Sequence, residues 1–102
     1  MYARVTQFRI QPGKVDEFQQ TVRSVIPTAQ KEKGFRGLLI LRGGVEAPLD
    51  GHVISLWETL EDLRASEKSL YFYGALARVM RCCEGFPGIL EQEVLCSEFR
   101  AA

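Results

Sequence analysis

The chain has 102 residues, enough for a single domain with a real core. Hydrophobic residues make up 46% and charged residues 25%, the composition of an ordinary globular domain rather than a disordered chain. Lys+Arg and Asp+Glu balance at 13 each, so neither nucleic acid nor an anionic membrane surface is an expected partner. Residues Tyr2 to Ile10 alternate polar and apolar side chains, which predicts a strand and neither a signal peptide nor a membrane span. Pro12-Gly13 stops it. Val15, Phe18, Val22, Val25, Ile26 and Ala29 then recur at intervals of three and four, one stripe of an amphipathic helix. Pro27 lies inside that pattern and should kink or distort it, and Gly34 should end it.

Phe35 to Arg42 follows, with the unbroken apolar run Leu38-Leu-Ile-Leu41 predicting a strand buried on both faces. Gly43-Gly44 and Asp50-Gly51 bracket a loop into His52–Glu58, so these two strands should form a hairpin. Thr59 with Asp62 three residues on resembles a capping box. The helical region beyond it comes in two pieces, the first striped by Leu60 and Leu63 and the second by Leu70, Tyr73, Ala77 and Met80. Gly85-Phe-Pro87-Gly88 should end the second piece, leaving Ile89 to Phe99 as the last strand.

This order, β-α-β-β-α-β over residues 1–102, predicts one α+β domain of ferredoxin-like split βαβ type. A four-stranded antiparallel sheet would carry its helices on one face. The other face would then present Leu39 and Leu41, or Leu38 and Ile40, to water. A two-fold homodimer through that open face is the cheapest cover.

The cysteines, Cys82, Cys83 and Cys96, are odd in number and form no C-x-x-C. They read as reduced thiols of a cytoplasmic protein, packed as small hydrophobes, and no zinc site is expected. Trp57 is the only tryptophan and His52 the only histidine. Trp57 suits either a core or interface position or the wall of a pocket for a flat aromatic ligand. His52, at the start of its strand, is either a solvated group or a proton-transfer group. Thr6 and Ser55 are small polar residues in apolar strands, satisfying local hydrogen bonds or orienting a ligand hydroxyl. Arg36, Arg42 and Arg4 are candidate holders of a phenolate or carboxylate. Tyr71, Phe72 and Tyr73 cannot all face one way on a helix, and Tyr73 falls on the apolar stripe.

Four segments carry a family resemblance: Pro12-Gly13-Lys14-Val15-Asp16-Glu17-Phe18, Gly34-Phe35-Arg36-Gly37-Leu38, Leu56-Trp57-Glu58 leading into Glu61-Asp62-Leu63, and Tyr73-Gly74-Ala75-Leu76. Together and in order they resemble the antibiotic biosynthesis monooxygenase-like family of dimeric α+β barrels. The resemblance implies a pocket between sheet and helices, with Trp57 in its wall. It implies cofactor-free oxidation of a small flat aromatic, phenol or quinol, with His52 and Trp57 as catalytic candidates. Thr6, Arg36, Ser55 and Tyr73 are the substrate-binding candidates. Some oxygenases of the family place an asparagine four residues before this tryptophan, where Val53 stands here. Its haem degraders use an asparagine near the position of Thr6 and a helical histidine, neither of which this chain has, so neither haem nor another cofactor is expected. A non-catalytic dimeric ligand-binding or stress-associated module of the same fold is the alternative.

Overall fold

The computed structural model describes residues 1–101. Its elements are β1 (Tyr2–Ile10), α1 (Val15–Ala29), β2 (Phe35–Arg42), β3 (Asp50–Trp57), α2 (Leu60–Glu67), α3 (Leu70–Met80) and β4 (Cys83–Glu93). The four strands form one antiparallel sheet in the order β2-β3-β1-β4. This is the ferredoxin-like α+β arrangement, with the second crossover made of two helices.

Each boundary has a local cause. Gly34 has φ +81°, a left-handed conformation that closes the turn after α1. A Cβ there would overlap the Asp62 carboxylate, so the turn is fitted tightly against α2. The Asp62 backbone N–H donates to Thr59 Oγ1 at 3.0 Å, which caps α2. A break at Lys68 and Ser69 separates α2 from α3.

Three expectations need correction. α1 ends at Ala29, with Pro27 in its last turn, rather than continuing to Gly34. β4 begins at Cys83 rather than Ile89 and ends at Glu93 rather than Phe99. Its register jumps from Gln7↔Gly88 to Arg9↔Glu84, so residues 85–87 bulge out of the pairing. Gly85, at φ +68°, and Pro87, which has no N–H to donate, are suited to a bulge and only look like a helix terminator in sequence. Finally, β2 is an edge strand, with Leu39 and Leu41 46% and 43% exposed, so within the single chain its apolar run is covered on one face.

The helix-facing side of the sheet divides into two regions. At one end Phe8, Ile10, Phe18, Val22, Val79, Cys82 and Cys83 form a packed core, with Phe8 and Phe18 edge to face at 5.4 Å. Toward the other end, around Trp57, packing gives way to a cavity.

Candidate functional site

The cavity lies between the sheet and helices α1 and α3, is open on one side and has a volume of about 80 Å³. Strand alternation decides who lines it. On β1, Arg4, Thr6 and Phe8 share the helix-facing side, and on β3 so do Val53, Ser55 and Trp57. A register shift between Phe35 and Gly37 on β2 lets both Phe35 and Leu38 reach the same cavity. Val22, Val25 and Ala29 of α1 and Phe72, Ala75, Leu76 and Val79 of α3 complete an apolar wall.

Trp57 is 1% exposed and stands edge to face with Phe35, ring centroids 5.5 Å apart. Its Nε1–H donates to Ser55 Oγ at 2.9 Å. The Ser55 hydroxyl proton is left for a ligand, since Oγ is already an acceptor and no acceptor for its own proton occurs among the described residues. Thr6 is buried in the cavity wall.

Arg4 is the cation of the site, and it is 7% exposed. Nη1 donates to Ser66 Oγ at 2.9 Å and approaches Glu67 Oε1 at 3.5 Å. Ser66 spends its own proton on the Leu63 carbonyl at 2.6 Å, so its oxygen is oriented to accept from Arg4. The guanidinium carbon lies 4.5 Å from the Phe72 ring centroid and 5.6 Å from that of Trp57. Burial pulls the Arg4 pKa below its ordinary value, with Glu67 opposing the shift. Burial raises the pKa of the nearby Tyr71 phenol, with Glu32 adding to the effect and Arg4 opposing it.

Of the residues singled out from sequence, Trp57, Thr6, Ser55, Arg4, Tyr71 and Phe72 meet in this cavity. His52, Arg36 and Tyr73 are elsewhere. His52 has the opposite strand parity and lies on the open sheet face, in a groove with Gln7, Arg9 and Phe86. Arg36 sits at the β2 irregularity and pairs with Glu58 at 2.8 Å, both about half exposed. Arg42 donates through Nε to the Pro48 carbonyl in the hairpin loop. Tyr73 is 65% exposed, beside a surface depression lined by Arg64 and Glu67, because the buried stripe of α3 is Phe72, Ala75, Leu76 and Val79. That i, i+3, i+4, i+7 spacing was equally present in the sequence and competes with the one through Tyr73. Arg4 carried its own signal: it has the same parity on β1 as Thr6.

Among the described residues, no group of three or more His, Cys, Asp or Glu is placed to hold a metal ion, and no helix is long and apolar enough to cross a membrane. The arrangement offers an apolar cavity with the aromatic rings of Trp57, Phe35 and Phe72, the hydroxyls of Thr6, Ser55 and Tyr71, and one buried cation.

The model of the family described as antibiotic biosynthesis monooxygenase matches residues 1–78. The chain belongs to this family. No curated protein matches it. Among solved structures, a candidate antibiotic biosynthesis monooxygenase from Bordetella bronchiseptica superposes with a TM-score of 0.81 at 21% identity, over 93% of this chain and 97% of that one. A conserved protein from Methanosarcina mazei gives 0.76 at 22% identity, over 89% and 90%. A mutant of SnoaB, a cofactor-independent oxygenase from Streptomyces nogalater, gives 0.79 at 12% identity, over 94% of each chain. At these identities the likeness is one of fold.

Proposed function

We propose that this member of the antibiotic biosynthesis monooxygenase family is a cofactor-independent oxygenase of a small flat aromatic, phenol or quinol. It would act in the reducing cytoplasm as a homodimer joined through the open sheet face. The observation that carries the reading is the cavity itself, an apolar space beside Trp57, Phe35 and Phe72 whose few polar groups are those of Arg4, Thr6, Ser55 and Tyr71. SnoaB, a cofactor-independent oxygenase of the same fold, is consistent with it.

The chemistry needs little from the protein. A phenol and dioxygen give a quinone and water with atoms and electrons balanced, the substrate supplying every electron. The site's share is to hold the ring flat, stabilise its oxygen as an anion and keep water out. Trp57 serves as the wall, and the Thr6 and Ser55 hydroxyls as donors to ring oxygens. His52, Arg36 and Tyr73 have no part in this cavity and drop out of the assignment.

Oxygen uptake in air with a panel of quinols and phenols tests the proposal. Turnover with at least one substrate is expected, and Trp57→Phe should lower it about 10-fold by loosening the fit of the ring. Absence of product from every substrate, by a folded protein, rejects it. One observation favours the second reading, a ligand-binding module without chemistry: no histidine, aspartate or glutamate is among the residues lining the cavity. Saturable binding without oxygen uptake would select that module.

A further inference from the structure

Arg4 is only half used. Of its five N–H donors, only those on Nη1 find acceptors among the described residues, Ser66 Oγ and, at the limit of hydrogen-bonding distance, Glu67 Oε1. The edge formed by Nε and Nη2 has none. That same edge of an arginine holds a carboxylate elsewhere in this protein: Arg64 donates through Nε and Nη2 to the two oxygens of Glu91, at 3.0 and 3.1 Å. No buried side-chain nitrogen or oxygen among the described residues is sealed away without a partner. The free edge of Arg4 therefore borders open space, and Arg4 itself lines the cavity.

The charge balance points the same way. The Arg4 side chain is 8% exposed, whereas Glu67, its nearest carboxylate, is 31% exposed and 3.5 Å away. A buried cation with a loose, partly solvated counter-ion is under-compensated, and an anion brought into the apolar cavity would complete its pairing. The volume limits what carries that anion. About 80 Å³ is roughly half of the ~150 Å³ of a closed apolar cavity that takes benzene, so a single ring is the most the cavity can admit, with part of it projecting through the open side.

Resting on the aromatic-site reading above, we infer that the cavity takes a single-ring aromatic anion, a carboxylate or phenolate clamped side-on by Nε and Nη2 of Arg4. Glu67 is the internal counter-ion that this anion relieves. Binding is thereby coupled to the α2–α3 junction, because Ser66 and Glu67 end α2 just ahead of the break. The stacking of Arg4 on Phe72, at 4.5 Å, keeps the guanidinium in place while its counter-ion changes.

The test is titration of Trp57 fluorescence with benzoate and with benzamide, its neutral counterpart of nearly equal shape. Benzoate should quench saturably with an affinity about 10-fold or more above that of benzamide. Glu67→Gln removes the competing carboxylate without touching the cavity wall, and should tighten benzoate several-fold while leaving benzamide unchanged. Arg4→Met should erase the preference for benzoate. Should that variant not fold, the Glu67→Gln result decides. Equal affinity for the two ligands, or no response of benzoate binding to Glu67→Gln, overturns the anion clamp and leaves the aromatic site standing. No quenching by either ligand overturns both.

Discussion

Cys82 and Cys83 sit in the packed core, whereas Cys96 is exposed beyond the last strand. Burial raises the Cys82 thiol pKa, and raises that of Cys83 to about 11. Both therefore stay protonated and unreactive at pH 8. A disulfide-exchange reagent such as Ellman's should titrate one thiol per folded chain rapidly and all three after denaturation. Fast reaction of two or three thiols in the native protein would contradict the burial. The same shift has a stability consequence. Below the ordinary thiol pKa of about 8.5 both states hold the proton. Between there and about 11 the unfolded chain releases it first, so folding stability falls as pH rises through that window.

The junctions between elements are where single residues decide local geometry. Gly34 joins α1 to β2 at φ +81°, its carbonyl accepts the Glu58 N–H at 2.7 Å, and its missing side chain makes room for Asp62. Gly34→Ala imposes a left-handed conformation on a residue with a Cβ and pushes that Cβ into a carboxylate at the start of α2. A loss of about 1–3 kcal/mol is expected in urea unfolding, with the m-value unchanged. A neutral result would mean that α2 can move away from the turn at little cost. The consequence reaches the cavity, because α2 supplies Ser66 and Glu67 to Arg4.

Across the whole molecule, the helices cover one face of the sheet and leave the other with Leu39, Leu41 and Leu90, each more than two-fifths exposed. The register places Val5, Ile54 and Leu56 among them on the same side. An apolar strip of this kind on an open sheet face is the surface a two-fold dimer would bury. Leu39→Glu puts a charge at its edge, opposite Ile54, and should convert the dimer to a monomer in sedimentation velocity at micromolar concentration. An undisturbed dimer would move the interface elsewhere, and a monomeric parent protein would remove it altogether.

The element order was legible because its signals are local. Period-two alternation in Tyr2–Ile10, period 3.6 in Val15–Ala29, the Thr59 cap and the Gly34 stop each depend on residues within a turn or two of one another. Part of the site was legible for the same reason, since Val53, Ser55 and Trp57 must share a strand face and His52 must take the other. The rest depended on contacts between distant segments. Whether Phe72 or Tyr73 turns inward is set by how α3 packs over the sheet, and Arg36 points outward because β2 slips register beside it. The true start of β4 is visible only once Glu84 and Cys83 pair with β1. Arg4 looks in sequence like any strand arginine. Ser66 and Glu67, 62 and 63 positions away, make it a buried cation with a free edge, because burial and pairing belong to the folded neighbourhood and not to the residue.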